Sequence, residues 1–118
     1  MKAARQLMPQ IDRDNLSFAV RILKKSGIGV SLKTILPTEL QHSQHEINDA
    51  KVKNIINDIQ SGKQMPPIVA SIDNYIVDGH HRQVAYETIA PNKPIKIIQI
   101  DLPQKLAVVV WKKIETKL

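Results

Sequence analysis

The sequence predicts an α/β fold, a compact mixed sheet with packed helices, flanked by an N-terminal and a C-terminal helix. Three observations carry that expectation. The stretch Tyr75-Ile-Val-Asp-Gly-His-His-Arg-Gln-Val-Ala85 runs from β-forming residues through a glycine turn into helical spacing, with Val84, Ala85, Thr88 and Ile89 recurring. Upstream, Val52, Ile55, Ile56 and Ile59 sit at i, i+3, i+4 and i+7 of an amphipathic helix. Short apolar runs over residues 68–72 and 95–102, bounded by Pro, Asn and Asp, read as strands.

Composition bounds the rest. A chain of 118 residues holds one modest core, and with one Trp, two Tyr and one Phe that core must be aliphatic. The absence of cysteine removes a disulfide framework and a thiolate metal site, and it fits a cytoplasmic setting. No apolar run reaches the ~18 residues of a membrane span, and the first residues lack a signal-peptide core, so no membrane partner is expected. The net charge of +6 is unevenly spread: residues 1–33 carry seven Lys/Arg against two Asp/Glu, residues 34–102 six against eight, and residues 103–118 four against one. Attraction to a polyanion such as DNA would therefore come from the flanks, with Lys24, Lys25, Lys112 and Lys113 as candidate nucleic-acid contacts. Solvated helix faces explain the same charges equally well.

The chain divides into a basic arm and amphipathic helix (1–30), a central domain (31–102) and a basic C-terminal helix (103–118). Residues 1–11 show no period and contain Pro9. Over residues 12–25, Leu16, Ala19, Val20 and Leu23 form one face, Asp12, Asp14 or Asn15 caps the start, and Gly27 stops the helix. Phe18 and Ile22 broaden that stripe enough to dock on the domain or on a second copy, so a homodimer through the terminal helices is one expectation. Ile28, Val30 and Leu32 alternate as in a strand, which Pro37 limits. A polar loop with His42, Gln44, His45 and Glu46 follows; two histidines three apart are an incomplete ligand set, and no metal site is expected. Residues 48–61 form the best-marked helix, with Asn48 as cap, Ile47 as staple onto Val52 and Gly62 as stop. Asp73-Asn74 turns a tight hairpin that delivers the chain to Gly79. Pro103 opens a last helix whose expected apolar face is Leu106, Val109, Val110 and Ile114, with Trp111 off the stripe.

The turn at Gly79 carries the chemistry. A helix starting there aims unpaired N–H groups and the positive end of its dipole at the turn, which suits an anion. Gly79 admits close backbone approach, Arg82 supplies a fork for phosphate oxygens, and His80 and His81 add donors. Asp78 serves either as an ordinary N-cap or as part of the site.

Asp-Gly-His-His-Arg with Ala three residues on resembles the phosphate-binding signature of the ParB/sulfiredoxin superfamily, a Gly-x-x-Arg-x-x-Ala pattern on strand, turn and helix. Gly79, Arg82 and Ala85 fill it, and the resemblance covers residues 31–102. It implies a ParB/sulfiredoxin-like fold and a phosphate or nucleotide site at Asp78, Gly79, His80, His81 and Arg82. Sulfiredoxin chemistry needs a cysteine where this chain has His80, so that reaction is excluded. Partition-type ParB proteins read DNA through a helix-turn-helix, for which the residues after Leu102 leave no room. The lead expectation is phosphate chemistry of the ParB-like nuclease/NTPase kind on a nucleotide (ATP or CTP with Mg²⁺) or on DNA, with Glu46, His80 and His81 as candidate catalytic residues. Resemblance to free-serine kinases offers a second expectation, a small-molecule phosphotransferase with Glu46 as base. The non-enzyme alternative keeps the turn as a ligand sensor or interaction surface.

Overall fold

The structure, a computed structural model, describes residues 11, 13–43 and 46–118. The arm over residues 1–10, the Asp12 cap and the Gln44-His45 pair lie outside the described residues.

The elements run α1 (Arg13–Lys25), β1 (Val30–Ile35), a 3₁₀ turn (Pro37–Glu39), α2 (Asp49–Gln60), β2 (Ile68–Ser71), β3 (Ile76–Asp78), α3 (His80–Ile89), β4 (Ile95–Ile100) and α4 (Gln104–Glu115). The four strands form one mixed sheet in the order β1-β4-β2-β3. β1 runs antiparallel to β4 with Val30 opposite Ile100, β2 runs parallel to β4 with Ile68 opposite Ile97, and β2 and β3 close an antiparallel hairpin. In the hairpin turn Asn74 takes φ 65°, a conformation Asn tolerates, and its N–H donates to the Ser71 carbonyl at 3.0 Å. A short hydrogen bond from the Ser71 hydroxyl to Asp73 fixes the same turn.

Alternation along the strands sends side chains into two cores, one on each face. On one face α1 and α4 cover Val69, Val77, Ile98 and Ile100 with Ala19, Leu23, Ala107, Trp111 and Ile114. On the other, Ile68, Ala70, Ile76 and Ile97 pack with Leu40 and the half-buried Tyr86, and α3 lies there with α2 against it. The molecule is thus a sheet between two helical layers. No helix among the described residues is long and apolar enough to cross a membrane.

Helix α1 docks on its own sheet through Ala19 and Leu23. Gly27 ends it at φ +79°, with the Ile28 N–H returning to the Leu23 carbonyl at 3.0 Å. In α2 the Asn48 side chain accepts the Lys51 N–H at 3.0 Å, the expected cap. Four expectations need correction. Leu32, placed by alternation with Ile28 and Val30, is 78% exposed, because β1 is an edge strand and α1 covers only its Val30 end. The buried face of α4 is Ala107, Trp111 and Ile114, whereas Leu106 and Val109 are exposed. Trp111 is the anchor of that face at 0% exposure, and so it offers no surface for stacking bases. Pro103 is the cap residue, one position before the helix proper.

Candidate functional site

β3 and α3 meet at Gly79, which takes φ +102° as the residue before the first helical turn. The left-handed conformation requires glycine, and so does the space. A Cβ there would meet Arg82 Nη2 at 2.7 Å and Ile68 Cγ1 at 3.1 Å. The guanidinium therefore lies over the turn, as the sequence suggests, but the room beside the glycine backbone is filled by Arg82 itself. The Gln83 N–H donates to the Gly79 carbonyl at 3.0 Å and closes the first turn. The N–H groups of His80, His81 and Arg82 precede it and have no acceptor within the helix.

Arg82 donates from Nη2 to the Pro67 carbonyl at 3.3 Å, and its buried Nε has no hydrogen-bond partner among the described residues. Burial pulls its pKa below the ordinary value, while the charges of Asp78 and Tyr86 pull it back. Asp78 lies close enough to act on that charge, yet its Oδ2 accepts from the Trp111 indole at 3.1 Å and from the Ile11 N–H at 2.9 Å. Burial pushes the Asp78 carboxyl above the usual carboxylate range, against the pull of the Ile11 N–H, Arg82 and Trp111, and Glu115 adds to the rise. Asp78 is not an N-cap: no side chain caps α3. It fastens α4 and the residue ahead of α1 to the strand that leads into the turn.

The two histidines face inward. His80 Nε2 accepts the Ser43 N–H at 3.2 Å and His81 Nε2 accepts the Asn48 N–H at 3.1 Å. Accepting at Nε2 places the proton of each neutral ring on Nδ1. Burial, with the nearby charges of His42, His81 and Arg82, lowers the His80 pKa to about 3, so His80 is neutral at physiological pH. Both rings position the chain between the 3₁₀ turn and α2, and taking up a proton at Nε2, as a general base must, would require breaking these bonds. Glu46 is exposed, two residues before the Asn48 N–H that His81 holds.

Sequence reasoning missed Gln83 and Ser43. Gln83 is buried, donates to the Pro37 carbonyl and to Glu87, both at 2.7 Å, and accepts from His42 Nε2 at 2.6 Å. Ser43 accepts from Gln104 at 3.0 Å. No spacing distinguishes a buried glutamine from an exposed one; the sole hint is that His80, His81 and Gln83 make up a polar stretch in a helix that must cover a sheet. Of the flanking lysines, Lys24, Lys25, Lys112 and Lys113 are exposed in the last turns of α1 and α4, in the opposite layer from α3. His42 lies beside His80, with ring centroids 5.6 Å apart, while His45 is outside the described residues.

A mixed sheet between two helical layers, with a glycine turn opening a helix under an arginine, defines a class of layered α/β domains. Within that class the fold is that of a ParB N-domain. One solved structure, the C2221 form of a pNOB8-like ParB N-domain, matches with TM-score 0.57 and 14% identity over 73% of this chain and 38% of that one. A second pNOB8-like ParB N-domain structure matches with TM-score 0.57 and 16% identity over 73% of this chain and 35% of that one. The chain thus spans little more than a third of those chains' length. No family model and no curated protein matches it.

Proposed function

We propose that this ParB-like domain binds a nucleotide, with the phosphates at the first turn of α3 over Gly79, His80, His81 and Arg82. The observation that carries this reading is the buried Arg82 Nε with no partner among the described residues. A desolvated guanidinium with one neutral acceptor at 3.3 Å is costly unless an anion completes its bonding. Three N–H groups at a helix start lie beside it, and phosphate oxygens fit that donor set. ATP and CTP carry such groups. Mg²⁺ would be held chiefly by their oxygens, because the Asp78 oxygen that accepts Ile11 and Trp111 is already committed.

Equilibrium binding of radiolabelled ATP and CTP to the full chain, with and without Mg²⁺, tests this. Arg82→Ala should weaken binding by about 1.5–3 kcal/mol, roughly ten- to a hundredfold, with little change in folding. Unchanged affinity in that variant, or no binding of either nucleotide, ends the proposal.

Turnover is the finer reading, and one observation favours it. The Asn48 N–H is bonded to His81, which ties the residue two positions after Glu46 to a side chain of the first turn of α3. A carboxylate there suits a general base toward water or an acceptor hydroxyl. Phosphate release that persists undiminished in Glu46→Gln would remove Glu46 from the reaction. Binding of DNA, if it accompanies the nucleotide, is assigned to the lysine-bearing ends of α1 and α4, and neutralising Lys112 and Lys113 should flatten its salt dependence.

A further inference from the structure

A second opening lies at the other end of the α2–α3 pair. The last turns of both helices, the loop before β2 and the loop before β4 enclose a cleft of about 610 Å³. Ile59, Met65, Tyr86 and Ile89 line it and are all partly exposed. A volume of that size is in the usual range for small-molecule sites, about 300–1,000 Å³. Prolines in both flanking loops stiffen the walls, so the cleft exists before a ligand arrives.

Its charge is one-sided. No acidic residue lines the cleft, whereas Lys63 and Lys93 stand on the two flanking loops. Lys63 is 3.9 Å from Asp58 with both side chains exposed, a contact that holds the ammonium weakly, and no ion pair engages Lys93 among the described residues. Tyr86 is the only aromatic side chain in the lining, too little for a run of stacked bases. A volume of that size suits a compact ligand better than an extended peptide.

We propose that this cleft is a separate binding site for a small amphipathic carboxylate, with its acyl or aryl body against Ile59, Tyr86 and Ile89 and its carboxylate at Lys63 or Lys93. The cleft is centred beyond the glycine turn, since Arg82 and Ile89 are seven residues apart, about 10 Å along the helix axis, and the Arg82 guanidinium reaches only its near edge at Pro67 and Tyr86. It does not depend on nucleotide binding.

The test is a methyl-detected NMR titration of the full chain with octanoate, using octylamine as the charge-reversed control. Octanoate should give saturable shifts at the Ile59, Met65 and Ile89 methyls and bind at least fivefold more tightly than octylamine. The exposed double substitution Lys63→Glu with Lys93→Glu should cost octanoate about fivefold, in keeping with the small worth of surface charges, and should improve octylamine. Saturating ATP should leave octanoate affinity unchanged, which separates this site from the nucleotide site. Equal affinity for the amine, unchanged binding in the double variant, or non-saturating shifts concentrated at the exposed Ile72, Leu106 and Val109 methyls would each overturn the proposal. So would binding of an acidic peptide where octanoate fails.

Discussion

The two faces of the sheet do different work. The α1/α4 face is filled by aliphatic side chains around Trp111, whose indole is bonded to the Asp78 carboxylate. The α2/α3 face has a smaller core and a dense polar network in which His80, His81 and Gln83 bond to the chain between the 3₁₀ turn and α2. On the first face a buried polar atom is fully matched; on the second, the Arg82 Nε is not. The difference teaches that the larger core and the unmatched charge lie in opposite layers, and Asp78 and Arg82, close across one turn, are where they touch.

The sharpest way to break that division is Trp111→Ala. It should cost about 3–5 kcal/mol of stability, measured by urea unfolding, because it empties the centre of the larger core and strips Asp78 of a donor. A large loss of nucleotide affinity with little loss of stability would mean that the two layers are not separate.

Acid should attack the other face. The His80 pKa falls from an ordinary 6.5 to about 3 on folding, so the unfolded chain takes up the proton that the fold refuses. The contribution of neutral His80 is complete above pH 6.5 and drains away as pH falls toward 3, with a loss on the order of a few kcal/mol. Asp78 has the opposite sign: its raised pKa lets the fold protonate before the unfolded chain, which softens the loss at the acid end. Urea midpoints followed from pH 7 downward should show this decline, and His80→Gln should flatten it. An equal slope in the variant would assign the titration elsewhere.

Gly79→Ala tests the boundary between the layers. The backbone at φ +102° is strained for alanine and the new Cβ drives against Arg82 Nη2, so stability should fall by about 1–3 kcal/mol and nucleotide affinity should fall with it. A stable variant with normal affinity would show that Arg82 need not lie over the turn. The smallest effect is expected from Asn48→Ala, about 1 kcal/mol for the lost α2 cap, with no effect on the Trp111 side as read by its fluorescence.

How much of this was legible depends on which atoms the sequence exposes to argument. Helix α2 was readable because periodicity, cap and stop agree at Asn48, Val52, Ile59 and Gly62. The turn at Gly79 was readable because a positive φ and a helix start both leave a mark in residue type. The face of α4 was misread because Leu106 and Val109 obey the helical period as well as Ala107 and Trp111 do, and only the tertiary position of β2 and β3 chooses between them. The inward turn of His80 and His81 left only a polar stretch in a sheet-covering helix as its mark, since their partners are backbone N–H groups of Ser43 and Asn48, which any residue supplies.

The Asp78 knot has a consequence for the order of folding. Its two donors, Ile11 and Trp111, lie 67 and 33 residues away along the chain. Loop-closure entropy makes contacts of such separation late events, because local helices and the β2–β3 hairpin form without them. Until both donors arrive, the carboxylate has no reason to leave water, and strand β3 cannot seal. We expect the described residues to fold in a single cooperative step whose rate is set by long-range closure, with Trp111 fluorescence reporting the last contact made.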